Sequence, residues 1–264
     1  MGAPRHGVAA AAAAEADYRR MVRLQDMSGP ELRNALAGDR GEAFLWMQSA
    51  AKCGAPTAQL RLGQMLLDGE GTPGDEARAL SWFLKAAGQG LPEAMNMAGR
   101  CYENGWGTAV DLARAAQWYG ASADAGHDWG QYNFAHMLFD GRGVAQDQPQ
   151  ALVWYLRAAA QGHARAMNLA ARCFEEGWGT PRDPARAAEL YRSSAKAGYF
   201  RAQFNFATVL TAQGRVEDAL PWFEAACRSA TPDSLQVMVE ALARHPEARL
   251  RALGASLKRD LQTA

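Results

Sequence analysis

The sequence predicts an all-α chain of tandem helix–turn–helix units, each 36 residues long. Three observations predict it. Gly54, Gly90, Gly126, Gly162 and Gly198 fall on one 36-residue step, as do the pairs Gly69/Gly71, Gly105/Gly107, Gly141/Gly143 and Gly177/Gly179. Asp75, Asp111, Asp147 and Asp183 keep the same step, and Ala79, Ala115, Ala151 and Ala187 follow them. Trp82, Trp118 and Trp154 continue the register, with Leu190 in the fourth place. Several tracks held in phase over four copies are the mark of a repeat architecture.

Within a copy, the first helix carries apolar residues on one face: Ala58, Leu62, Met65 and Leu66 in the first, Gly130, Phe134, Met137 and Leu138 in the third. The third copy reads as helices Trp129–Asp140 and Gln148–Gln161 around a Gly141-Arg142-Gly143 loop. The paired glycines permit positive φ, so the chain leaves one helix and turns back. Asp at the next station can accept a bond from a free N–H of the second helix's first turn. Along that helix alanines alternate with an aromatic pair (Trp82-Phe83, Trp118-Tyr119, Trp154-Tyr155), small residues for close approach and rings for the larger gaps. A single helix pair cannot bury such a face, whereas stacked neighbours can.

A two-repeat period lies inside the first. The copies opening at Gly90 and Gly162 share Ala-Met-Asn (94–96 and 166–168), Arg-Cys and Gly-Trp-Gly-Thr, and those opening at Gly54 and Gly126 share Met-Leu-(Leu/Phe)-Asp-Gly. Duplication of a two-repeat block accounts for this.

The ends depart from the pattern. Residues 1–40 read as an Ala-rich lead followed by capping helices, with Ser28 as N-cap of Pro30–Leu36 and a further turn or two over Tyr18–Leu24. Glu42–Cys53 matches a second helix, giving a half repeat over 41–53. Full copies follow at 54–89, 90–125, 126–161 and 162–197. A fifth unit, 198–230, keeps Ala202, Phe206, Leu210, Ala219 and Trp222-Phe223 but has lost four loop residues. Residues 231–264 read as C-terminal caps: Thr231 and Pro232 open one helix to Arg244. A last helix, 246–261, shows Leu250, Leu253, Leu257 and Leu261 on one side and Arg249, Arg251, Lys258 and Arg259 on the other.

The whole pattern (Gly54…Ala58…Leu62-Gly63…Gly69-Glu70-Gly71…Asp75…Ala79…Trp82-Phe83…Ala86-Ala87…Gly90) resembles the Sel-1-like repeat, a relative of the tetratricopeptide repeat, over roughly residues 41–230. The shortened fifth unit is similar to the tetratricopeptide form. The resemblance implies a right-handed α-solenoid with first helices lining a concave face, and an adaptor that assembles or regulates other proteins, in many cases bacterial. Some relatives carry a disulfide in each repeat. Here the second cysteine is missing from every repeat, so that feature does not transfer.

Composition narrows the function. Lys plus Arg and Asp plus Glu are 28 each, a net charge of zero, which removes the electrostatic term that nucleic-acid binders depend on. No run approaches the ~18 consecutive apolar residues of a membrane span. Cys53, Cys101, Cys173 and Cys227 form no CxxC pair, and Cys101 and Cys173 share a station with Met65, Met137 and Val209, so they read as small buried hydrophobes. Reduced thiols suit a cytoplasmic protein; a periplasmic one follows if the N-terminal segment is a cleaved signal, though its six alanines make a poor apolar core. His6, His127, His136, His163 and His245 are scattered, without a nucleophile and orienting carboxylate, so no catalytic residue, metal or cofactor is expected. The glycine pairs lack the preceding strand and Lys-Ser/Thr of phosphate loops.

The partner-binding candidates lie on the first helices. Trp129, Tyr132, His136 and Phe139 sit at i, i+3, i+7 and i+10, one continuous stripe apart from the core face. The resemblance places these stations in the concave groove. Their counterparts vary from copy to copy, with Arg100 and Arg172 on either side one repeat away. Such a surface suits a protein or extended peptide anchored by an apolar residue with acidic neighbours. Arg100/Glu103 and Arg172/Glu175 also read as i, i+3 ion pairs, and Trp106 and Trp178 as rings folded back onto their own helix pairs. A hydrolase, a chain that self-associates through its end helices, and a glycan binder stacking sugars on the rings are the alternatives.

Overall fold

A computed structural model describes residues 15–23 and 26–263, and all regular structure among them is helical. Residues 1–14 lie outside the described residues, and with them most of the Ala-rich lead. A helical stretch at 15–23 precedes α1 (Gly29–Ala37) and α2 (Arg40–Lys52). The helix pairs that follow are α3 (Pro56–Asp68) with α4 (Glu76–Gly88), α5 (Pro92–Asn104) with α6 (Leu112–Asp124), and α7 (Asp128–Asp140) with α8 (Gln148–Ala160). Then come α9 (Ala164–Glu176) with α10 (Pro184–Lys196), α11 (Phe200–Ala212) with α12 (Val216–Ser229), and the end pair α13 (Pro232–Ala243) and α14 (Ala248–Thr263). Each of the helices α3 to α11 is 13 residues long, and α12 has 14.

The capping chemistry read from the sequence builds the turns. Asp75, Asp111, Asp147 and Asp183 accept the backbone N–H of Arg78, Arg114, Gln150 and Arg186 at 2.9, 2.9, 2.9 and 3.0 Å. Gly69, Gly105, Gly141 and Gly177 take left-handed φ of 69 to 78° and close α3, α5, α7 and α9 by donating to the carbonyls of Met65, Cys101, Met137 and Cys173. The connection between α11 and α12 is a tight turn through Gly214, φ 76°. At the start, Glu31 accepts both the N–H and the hydroxyl of Ser28, a reciprocal cap on α1. Thr231 stands at the N-cap of α13, but its hydroxyl meets that of Ser234 at 3.0 Å and caps no backbone group.

The chain divides into two units, one running to Met137 and including Gly141–Ala145, the other made of Leu138–Asp140 and Gln146 onward. The core of the first unit is assembled from Leu62, Met65, Leu66, Phe83, Cys101, Tyr119 and Met137, with Phe134, Trp82, Trp106 and Trp118 packed partly buried against it. In the second unit a cluster at the C-terminal end joins Leu210, Phe223, Cys227, Val239, Leu242 and Leu250, with Leu253 and Leu257 against it. Leu261, the last of that leucine row, remains 46% exposed beside the start of α13. The residue after the Trp station is the one the core swallows in every copy: Phe83, Tyr119, Tyr155, Tyr191 and Phe223 are all at most 2% exposed. Burying one such side chain contributes about 1.5–3 kcal/mol. Half-buried Trp82 carries Lys85 over its ring at 4.0 Å, a contact repeated by Arg157 over buried Trp154 at 4.3 Å.

Candidate functional site

Helix α7 opens on His127, whose Nδ1 accepts the N–H of Gly130 at 3.1 Å, while the Asp128 carboxylate accepts that of Trp129 at 2.7 Å. One repeat on, buried His163 caps α9 in the same way, accepting the Ala166 N–H at 3.1 Å. His127 and His163 share this station with Leu91 and Tyr199 of the other copies, and both histidines are helix caps, which only their backbone geometry reveals. A neutral imidazole nitrogen takes the part that Ser or Asp plays at other helix starts.

The helix so anchored presents the aromatic stripe. Trp129 meets Tyr132 edge to face, centroids 5.8 Å apart at 82°, and Tyr132 meets His136 in the same manner at 4.8 Å and 86°. Trp129 is 41% exposed, and Tyr132 and His136 are half-buried. The fourth predicted member, Phe139, belongs to the second unit and sets its ring against Trp178, 5.3 Å away. Within the first unit Trp129, Tyr132 and His136 therefore form a ladder of three rings, and within the second Phe139 pairs with Trp178. Edge-to-face pairs of this kind add about 0.5–1.5 kcal/mol each beyond the area they bury.

The middle station of the stripe differs between copies. Asn96 and Asn168 occupy it in the flanking repeats, are buried, and accept side-chain bonds from Asn133 at 2.8 Å and Asn205 at 2.9 Å on the next first helix. In those repeats the station faces the neighbouring helix, because the residue one place beyond it on the next copy reaches back to it. Paired amides of this sort satisfy each other where water is excluded.

Arg100 and Arg172 are exposed, and each lies over the tryptophan of its own Gly-Trp-Gly loop, at 5.0 Å from Trp106 and 4.8 Å from Trp178. The rings are half-buried and folded back towards their own first helices, as expected. The anticipated ion pairs with the glutamates three residues on do not form. Glu103 accepts the Tyr119 hydroxyl at 2.6 Å and an Arg142 N–H at 2.7 Å, and Glu175 accepts the Tyr191 hydroxyl at 2.6 Å. A buried phenol on the second helix of each pair competes better for the carboxylate than a solvated guanidinium on the same helix. Gly99 allows this: a Cβ there would stand 2.7 Å from the Tyr119 ring. Burial and then the Glu103 bond push the Tyr119 hydroxyl far above its ordinary pKa of 10.0, and Tyr191 behaves alike with Glu175. Sequence reasoning missed these bonds, although the signal was present: Glu103 and Glu175 sit at a station that is Leu67 and Phe139 in the other copies.

The cysteines are free thiols; Cys101, Cys173 and Cys227 are buried and Cys53 exposed. Burial pushes the Cys101 thiol up to about 12 and Cys173 to about 11. Among the described residues no cluster of His, Cys, Asp or Glu has the arrangement of a metal site, and no helix is long and apolar enough to cross a membrane.

Repeated 13-residue helix pairs, joined by glycine turns and carrying side chains that vary on the first-helix face, define a repeat protein of the α-solenoid class. The chain belongs to the Sel1 repeat family: Sel1 repeats match residues 35–54, 56–91, 92–127, 130–163 and 164–199. The pair α11–α12, with its shortened turn, lies beyond those matches. A protective antigen of uropathogenic Escherichia coli that displays an SLR fold is similar at 24% identity and TM-score 0.73, over 94% of this chain and 54% of its own. The chain thus spans about half the length of that antigen. A Sel1 repeat protein from Oxalobacter formigenes is similar at 28% identity and TM-score 0.65, over 73% of this chain and 79% of its own. No curated protein matches.

Proposed function

We propose that this chain is a non-enzymatic scaffold that holds a protein partner, as an extended segment, against the first-helix faces of its repeats. Sel1 repeats generally mediate protein binding. The observation that carries the reading for this chain is the ladder of Trp129, Tyr132 and His136, led by an indole that is 41% exposed at a station occupied by Thr57, Glu93, Arg165 and Arg201 in the other copies. Exposed Trp and Tyr are the residue types that dominate interface energetics when a partner covers them. Arg100, Arg172 and Phe139 extend the binding surface in their own units. The Trp106 and Trp178 rings each carry a guanidinium, which supports a polar protein partner there over a stacked sugar. Free thiols suit a reducing compartment, and the cytoplasm is the proposed location.

The test is affinity capture followed by mass spectrometry, with the Trp129→Ala/Tyr132→Ala double variant as control. The expected result is loss of the captured partner with a fall in Tm of only a few degrees, since about two ring pairs are lost. Retention of the partner, or collapse of thermal stability that places the rings in the core, refutes the assignment.

A further inference from the structure

Glu103 and Glu175 are the carboxylates nearest in sequence to Arg100 and Arg172, and both are committed elsewhere, to Tyr119 with Arg142 and to Tyr191. Glu176, the next acidic side chain along α9, pairs with Arg182 at 3.6 Å. Among the described residues neither Arg100 nor Arg172 has a carboxylate within ion-pair distance, whereas Arg61, Arg78, Arg114, Arg142 and Arg215 each do. Instead, each exposed guanidinium is held over an indole, and Arg100 adds an Nη1 contact to Met97 Sδ at 3.5 Å. An indole under the guanidinium restricts the side chain without using up its N–H donors, which point from the edge of the planar group. A cation already ordered in this way loses little freedom when a carboxylate arrives.

The arrangement is built twice, two repeats apart, from the same residue types: Arg-Cys on the first helix, Gly-Trp-Gly-Thr in the loop, and a tyrosine that withdraws the local glutamate. In the first unit it opens on a cleft of about 430 Å³ shared with Gln64, Leu67, Asp68 and Glu76. The Glu76 carboxylate is engaged by the Gly107 N–H at 3.1 Å, and exposed Asp68 is a like charge for any incoming anion. The matching stations in the second unit are Asp140 and neutral Gln148.

We propose that Arg100 on Trp106 and Arg172 on Trp178 are carboxylate hooks, each taking one Asp or Glu side chain of an acidic segment in the partner protein. The proposal rests on the scaffold reading above and names the chemistry of its partner. The hook on Arg172 is the stronger, because Gln148 replaces the negative charge of Glu76.

Fluorescein-labelled peptides with a common apolar centre and flanks rich in Glu, Gln or Lys test this by anisotropy against the full chain. The Glu set binds about tenfold more tightly than the Gln set, the size of one charge-assisted pair. Arg172→Gln removes most of that preference, Arg100→Gln removes less, and Asp68→Asn increases it. The preference also weakens as salt is raised. Circular dichroism melts of the variants check that the fold is kept. A Glu set bound no better than the Gln set, a preference for Lys, a preference indifferent to both arginine variants, or no binding by any set overturns the hooks. Charge-blind binding that still requires Trp129 and Tyr132 overturns the hooks alone and leaves the scaffold reading standing.

Discussion

Replacing Gly107 by alanine, set against the same change at Gly90, isolates what the loop glycines do. Both have left-handed φ, 70° and 87°, so both changes force an L side chain into a backbone region that costs about 1–2 kcal/mol. Both also recover about 0.4–1 kcal/mol from the stiffer unfolded chain. There the equivalence ends. A Cβ at Gly90 meets nothing within 4 Å, whereas one at Gly107 would stand 2.3 Å from the carbonyl oxygen of Glu76 and 2.6 Å from the Ala77 Cα. The turn must then move off the first turn of α4, an overpacking cost of about 1–3 kcal/mol. The bond from the Gly107 N–H to the Glu76 carboxylate goes with it, at about 1–2 kcal/mol. Gly90→Ala is therefore expected to cost about 1 kcal/mol or less, and Gly107→Ala about 3–4 kcal/mol. For a chain of this size that separates the two by about 5–10 °C in Tm. Urea unfolding followed by circular dichroism measures both in one experiment, and hydrogen exchange shows whether the loss is confined to neighbouring repeats. Equal effects at the two sites, or a Gly107→Ala cost below about 1 kcal/mol, would refute the claim that the second loop glycine is a packing joint between successive repeats.

Two further outcomes follow from buried groups. Tyr119→Phe is expected to cost about 1–3 kcal/mol in urea unfolding, because it strips a bond from a partly buried carboxylate. Tyr119 and Tyr191 have folded pKa values raised above the unfolded value of 10.0, so the stability they contribute is complete below pH 10.0 and declines as pH rises beyond it. A pH titration of Tm in the alkaline range should show that decline, shallower in the Tyr119→Phe variant. Cysteine chemistry supplies the second outcome: at pH 8 a thiol reagent should label Cys53 fast and leave Cys101, Cys173 and Cys227 to react only on unfolding, since three are buried. Fast labelling of two or more would show that the repeats open locally.

The sequence by itself determined the architecture. Helix starts at Asp75, Asp111, Asp147 and Asp183, left-handed turns at the glycine pairs, and the burial of Phe83, Tyr119 and Cys101 all depend on contacts within a few residues or on a periodicity that each copy restates. A pattern written four times is legible because its exceptions stand out against it. The aromatic stripe was legible for the same reason, as a run of rings at stations that vary between copies and are mostly polar elsewhere. Only the tertiary structure decided what those stations touch. Glu103 turned to Tyr119, 16 residues away, and to Arg142, 39 away; Asn96 paired with Asn133, 37 away; Phe139 turned to Trp178. Each outcome depends on how one helix is rotated against the next, and helix rotation sets side-chain directions that spacing along a single helix leaves open. Arg100 and Arg172 are without a carboxylate partner among the described residues, and the chemistry proposed for the partner follows, because those choices engaged the nearest carboxylates elsewhere.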